Sequence, residues 1–242
     1  MANFICRILR TGGRFNLFLF SAIFATCLAS SVHAQGSIGH SDCCGRQDVI
    51  LIRGGLGYWP GANAMADEFH ALGYAPTIIC GWEAGATARK IACAHKKCKM
   101  AGDIIIVGYS SGADAACVLA QRLETYGIRV PTMVLIESTL GTPVPGNVDY
   151  CINYYASRKL DMIPMFRGVP VEAESPCTII DNIDVKCLPE FASQLKRNHF
   201  AIGSTTAMRE LTTGAVVSRR SGMVSSPDTE VIGTLPPLRV LR

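Results

Sequence analysis

Residues 103–112, read as Asp-Ile-Ile-Ile-Val-Gly-Tyr-Ser-Ser-Gly, constrain the fold more than any other stretch of the chain. Four consecutive aliphatic side chains (Ile104 to Val107) point to both faces of a strand, so both faces must be buried, and a parallel sheet covered on two sides meets that demand. The run ends in Gly-x-Ser-x-Gly, and an Ala-rich amphipathic segment at 113–126 follows. The pattern predicts a buried strand that turns at once into a helix. So sharp a turn brings backbone atoms together, and only tiny residues fit two places before and two places after the serine. Gly108 and Gly112 occupy those places. The turn would carry the Ser110 hydroxyl to the carboxyl edge of the sheet, where parallel sheets hold their sites. A plain Gly/Ser connection would be written in the same letters, and the strand–turn–helix context is what favours a nucleophile.

The neighbouring segments repeat the alternation. Apolar strands are expected at 48–53, 75–80 and 131–136, with helices at 62–72 and 84–97, which implies an α/β fold with a mostly parallel sheet and helices on both faces. Beyond Glu137 the pattern loosens. Residues 147–157, after Pro143 and Pro145, read as a helix. A strand is expected at 177–183, a short helix at 188–196 and a last helix at 205–217. The Ser/Arg/Pro-rich stretch 218–242 reads as a disordered tail.

The first 34 residues read as a secretory signal: Arg7, Arg10 and Arg14 without acids, an apolar run over 15–28, then Val-His-Ala ending at Ala34. That run is shorter than the ~20 residues of a comfortable membrane span. Cleavage near Ala34 would leave a periplasmic or secreted chain with no stable membrane span, a lead-in over 35–46 and a domain of ordinary size over 47–217. Without those arginines twenty basic residues face nineteen acidic ones, a formal charge of +1, so no basic surplus attracts nucleic acid. Nine of the eleven cysteines remain, an odd number. For an exported chain disulfides are expected, and Cys177–Cys187 and Cys93–Cys98 lie at suitable sequence distances, while Cys117 reads as a buried free thiol. Cys93, His95 and Cys98 lack a clear fourth ligand for a metal.

A serine hydroxyl needs a base to become a nucleophile. Of five histidines, only His199 follows the elbow, and the order in such sheets is Ser, acid, His. Glu137 is the preferred acid because it ends the strand after the elbow unit. Asp181 and Asp184 follow the next strand and stand as alternatives, with Asp161 a weaker one. The oxyanion donors expected are the N–H of Ser111 and those of Gly55 and Leu56 in the loop Gly54-Gly55-Leu56-Gly57. That loop lacks the Lys and Ser/Thr of a phosphate cradle and the Gly-x-Gly-x-x-Gly spacing, so no cofactor is expected.

Over residues 48–217 the chain resembles small bacterial α/β-hydrolases of the thioesterase/lipase-like kind. The matching pieces are Arg-Gly-Gly-Leu-Gly (from Arg53), Cys80-Gly81-Trp82, Gly-Tyr-Ser-Ser-Gly, Val134-Leu135-Ile136-Glu137, residues 143–155 and Asn198-His199-Phe200. The resemblance implies a compact α/β-hydrolase fold and an acyl ester or thioester substrate. It also favours an acid after the strand that follows the elbow strand, where this chain has Glu in place of the usual Asp. Gly-Tyr-Ser-Ser-Gly-Ala-Asp is similar as well to the elbow of periplasmic VirJ-type hydrolases, which implies aminoacylated phospholipid as an alternative substrate. A catalytically silent exported binding protein with the same fold is the rival from another class.

Overall fold

A computed structural model describes residues 47–98, 104–157, 167–191 and 199–224. Six strands form one sheet: β1 Asp48–Arg53, β2 Ala75–Cys80, β3 Ile104–Tyr109, β4 Val130–Ile136, β5 Val148–Tyr155 and β6 Ile179–Asp184. Their order is β2-β1-β3-β4-β5-β6, and every neighbouring pair is parallel. The helices are α1 Ala62–Ala71, α2 Ala84–Cys98, α3 Ser111–Glu124, the single turn α4 His199–Ile202, and α5 Thr206–Val224.

Alternate residues of the central strands feed two cores. Ile50, Ile52, Ile104, Ile106, Met133 and Leu135 pack with Ala84, Ala88 and Ile91 of α2 and with Ala113, Ala116, Leu119 and Leu123 of α3. The opposite face, with Val49, Leu51, Ile105, Val107, Val134 and Ile136, packs with Met65 and Phe69 of α1 and Met208 and Val216 of α5. Both faces of β3 are therefore apolar, because both are dry.

The chain leaves β1 toward β2 on one side, then crosses back to place β3 on the other side of β1. Connections that depart in opposite directions open a crevice at the carboxyl ends of β1 and β3. The loop after β1 and the turn after β3 meet there.

Three expectations are corrected. Residues 147–157 are not helical: Val148–Tyr155 is strand β5 between β4 and β6. Its Val, Ile and three Tyr suit a pleated surface better than a helix, and it feeds both cores, with Cys151 on one side and Tyr150, Ile152 and Tyr154 on the other. The short helix expected at 188–196 is a 3-10 turn, Pro189–Phe191, and residues 192–198 lie outside the described ones. Helix α5 continues past residue 217 to Val224, so the tail does not begin at 218. The signal, the lead-in and residues 225–242 also lie outside the described residues.

The cysteine pairing is corrected as well. Cys93, Cys177 and Cys187 are free, exposed thiols. All six residues of β6 stand between Cys177 and Cys187. At ~3.3 Å per residue that strand alone spans roughly 20 Å, against a Cα separation of at most about 7 Å for a bridge. The other expected pair involves Cys98, whose side chain lies outside the described ones. Cys117 is a buried free thiol, as expected.

Candidate active site

The turn after β3 has the tightness its sequence requires. A side-chain carbon on Gly108 would lie 2.4 Å from the Gly112 carbonyl oxygen, and one on Gly112 would lie 2.3 Å from the Ile52 carbonyl oxygen. No residue but glycine fits either place. Between them Ser110 takes φ 57° and ψ −132°, a conformation that costs a non-glycine residue ~1–3 kcal/mol and that the surrounding structure must hold. Part of that hold is the bond from the Ser110 N–H to the Ile136 carbonyl at 2.8 Å. The strained serine is thereby tied to the last residue of β4.

The next residue, Glu137, is also left-handed, at φ 58°, and fully buried. Its N–H donates to the Tyr154 carbonyl on β5 at 2.8 Å. Its Oε1 accepts the Ala156 N–H at 2.7 Å, and its Oε2 lies 2.9 Å from His199 Nδ1. His199 Nε2 lies 2.8 Å from Ser110 Oγ. A serine hydroxyl, an imidazole and a carboxylate thus form one hydrogen-bonded line. With Nδ1–H donated to the carboxylate, Nε2 is left to accept the serine proton.

The imidazole is held by more than this line. It is almost wholly buried and stacks on the Tyr109 ring, with centroids 5.7 Å apart. Trp59 also stacks with Tyr109, with centroids 5.6 Å apart, and donates from its indole to the Gly203 carbonyl at 2.7 Å. The Tyr109 hydroxyl donates to the His199 carbonyl at 2.8 Å. Trp59, Tyr109 and the Ala156 N–H were not singled out from sequence. Tyr109 stood inside the elbow motif and could have been suspected, whereas a backbone N–H such as that of Ala156 leaves no sequence signal.

The alternative acids lie elsewhere. Asp181 accepts the Tyr150 hydroxyl at 2.7 Å, and Asp184 accepts the Ser157 hydroxyl and the Lys186 N–H. Both belong to edge strand β6, and the carboxylate at His199 Nδ1 is that of Glu137. Asp161 lies outside the described residues.

The expected oxyanion residues are adjacent to the serine. Ser111 opens α3, where the first N–H groups have no intrahelical acceptor. Gly54 presses against the elbow: a side-chain carbon there would meet Ser110 Cβ at 2.9 Å, and one on Gly55 would lie 3.7 Å from Ser111 Oγ. Residues Gly55–Gly57 form a 3-10 turn in which Leu56 is left-handed, at φ 54°. The N–H groups of Gly54, Gly57 and Tyr58 are used by the loop's own carbonyls.

Several large apolar side chains are exposed in the loops that follow the strands and in α4. Leu56, Tyr58, Trp82, Leu140 and Phe200 are all exposed, Trp82 and Leu140 by 72% and 76%. Tyr58 meets Phe200 edge to face at 5.6 Å, and Phe200 meets the His199 ring in the same way. Among the described residues no cluster of His, Cys, Asp and Glu could hold a metal ion, and no helix is long and apolar enough to cross a membrane.

No protein-family model and no curated sequence matches the chain. Several solved structures are similar to it at low identity. The NocB thioesterase domain, in covalent complex with a fluorophosphonate nocardicin G analog, is 11% identical over 74% of this chain and 96% of its own, with a TM-score of 0.45. The type II thioesterase BorB of the borrelidin biosynthetic cluster is 12% identical over 72% and 92%, with a TM-score of 0.42. RedJ, a thioesterase of the prodiginine pathway in Streptomyces coelicolor, is 11% identical over 72% and 90%, with a TM-score of 0.41.

Proposed function

We propose that this chain hydrolyses a carboxylic ester or thioester through a covalent acyl-enzyme on Ser110. One observation carries the reading: the line from Ser110 Oγ through His199 to Glu137, with both links under 3 Å. Its members come from three separate segments of the chain, and two of them, Ser110 and Glu137, sit in strained backbone.

Each residue has a distinct part. His199 Nε2 takes the hydroxyl proton as Ser110 Oγ attacks the acyl carbon, and the imidazolium is stabilised by Glu137. The negative charge that develops on the acyl oxygen is met by the Ser111 N–H and by the N–H groups of Gly55 and Leu56. Collapse breaks the bond to the alcohol or thiol, which leaves with the proton from His199. Water then repeats the sequence on the acyl-serine, releases the carboxylic acid and returns the proton to Ser110. No cofactor enters. The exposed apolar side chains of the loop after β1 and of α4, Leu56, Tyr58 and Phe200, favour an acyl group of apolar character.

The arginine-led N-terminus and its Val-His-Ala site support export with cleavage near Ala34. The mature protein is then periplasmic or secreted, and mass spectrometry of it should find Gln35 first.

The deciding experiment is labelling with a fluorophosphonate, read by peptide mapping, together with a chain-length series of p-nitrophenyl esters and acyl thioesters. An activated serine gives one adduct, on Ser110, and turnover of some member of the series. Absence of both would leave a silent binding protein.

A further inference from the structure

Asp114 is a buried carboxylate that the reaction above does not use, yet it gathers more hydrogen bonds than any acid in the site. It lies in the first turn of α3, four residues after Ser110. Its Oδ1 accepts from the Ser138 hydroxyl at 2.9 Å and the Thr142 hydroxyl at 3.1 Å, and its Oδ2 accepts from the Thr139 hydroxyl at 2.8 Å and the Thr139 N–H at 3.1 Å. The Leu140 N–H is shared between both oxygens, and the Thr142 N–H reaches Oδ1 at 3.4 Å. Six donors, all from residues 138–142, converge on one side chain.

Those five residues follow Glu137 directly. Glu137 holds an unfavourable backbone conformation, which persists only where its surroundings over-determine it. On its N-terminal side that support is the β4–β5 ladder, and on its C-terminal side it is the loop wrapped around Asp114. The helix that carries Asp114 begins at the nucleophile. One carboxylate therefore joins the segment that holds Ser110 to the segment that holds the acid.

We propose that Asp114 is a positioning residue of the triad, acting through Glu137 by fixing the loop that keeps the acid's carboxylate on His199. The proposal rests on the hydrolase reading above. A role in folding alone would use the same bonds but would leave no energetic coupling to Glu137.

A double-mutant cycle separates the two. Steady-state ester hydrolysis is measured for Asp114→Ala in the wild-type and Glu137→Gln backgrounds, with the melting temperature of each. In the wild-type background kcat should fall roughly 10- to 100-fold, since displacements of about 1 Å have that effect, while KM stays within about twofold. With Glu137→Gln present the further loss should be below about threefold, because the acid is already lost. Asp114→Asn, which keeps one acceptor oxygen, should recover part of kcat. Equal losses in both backgrounds, or a change confined to KM or melting temperature, would overturn the proposal. If Asp114→Ala does not fold, the cycle is read on Ser138→Ala, which deletes a single donor; there a loss of about threefold or more that vanishes beside Glu137→Gln supports the proposal, and an equal or absent effect ends it. A wild-type protein that neither labels at Ser110 nor turns over would remove the hydrolase reading, and this proposal with it.

Discussion

The centre and the edge of the sheet treat carboxylates in opposite ways. At the carboxyl ends of β3 and β4, adjacent central strands, Ser110 and Glu137 are both left-handed, and Glu137 is fully buried. On edge strand β6, Asp181 and Asp184 lie in ordinary strand, are at least partly exposed, and bond to hydroxyls nearby. An edge strand has one neighbour and solvent on the other side, so nothing there can force a residue into an unfavourable conformation or strip water from a carboxylate. A central strand has neighbours on both sides and a core on both faces. Glu137 is held dry and in strained backbone there, and the hydrogen-bonded line to Ser110 is built there.

The comparison breaks most visibly at the serine. Ser110→Ala should lower ester turnover by about 10⁴- to 10⁶-fold with the fold intact, and His199→Ala should do nearly the same, because members of such a unit are far from additive. Full activity in either would reduce the elbow to a simple turn. The two carboxylate regions are contrasted next. Glu137→Gln should reduce kcat by roughly 10²- to 10⁴-fold, whereas Asp181→Asn and Asp184→Asn should stay within about twofold. A severe loss in either edge variant with Glu137→Gln near wild type would move the acid to β6.

Stability sharpens the same contrast. Gly112→Ala puts a methyl into the Ile52 and Arg53 backbone and should destabilise by more than about 3 kcal/mol, or prevent folding, in chemical denaturation. Gly85→Ala, in α2 with open space around it, should stabilise by ~0.5–1 kcal/mol. The smallest effect is a labelling pattern. Burial, with Asp114 nearby, pushes the Cys117 thiol up to about 12, and burial raises the Cys151 thiol well above the usual range. Iodoacetamide at pH 8 should therefore modify Cys93, Cys177 and Cys187 in the native protein and reach Cys117 and Cys151 only after unfolding. Protection of Cys177 and Cys187 together, lifted by reductant, would show a bridge that the strand geometry opposes.

What could be read in advance follows the same divide. The strands at 48–53 and 131–136 and the elbow were legible because a dry central strand leaves an unbroken apolar run, and edge strand β2 at 75–80 was legible from its short apolar run around Ile78 and Ile79. The serine and histidine were legible because the motif and a lone late histidine leave few choices. Strand β5 was not. Val-Asp-Tyr-Cys-Ile-Asn-Tyr-Tyr faces two cores and carries Asp149 and Asn153 among them, so neither a period of two nor one of 3.6 stands out, and two prolines upstream mimic a helix start. That misreading also hid the acid's surroundings, since the bond from Ala156 to Glu137 exists only because β5 runs alongside β4. The cysteine pairing failed for a related reason: distance along the chain says nothing of a fully extended strand in between.

The ring of Tyr109, in contact with the rings of Trp59 and His199 and with its hydroxyl on the His199 carbonyl, separates two jobs that a carboxylate partner could be asked to do together. The imidazole is located by ring contact and a hydrogen bond to the residue immediately before Ser110, so His199 and Ser110 share one mechanical datum. Glu137 is then left with polarisation. Removing its charge should leave the ring where it is, and a crystal structure of the Glu137→Gln protein should show His199 still within hydrogen-bond reach of Ser110. Tyr109→Ala should do the reverse, leaving the charge in place and letting the ring wander.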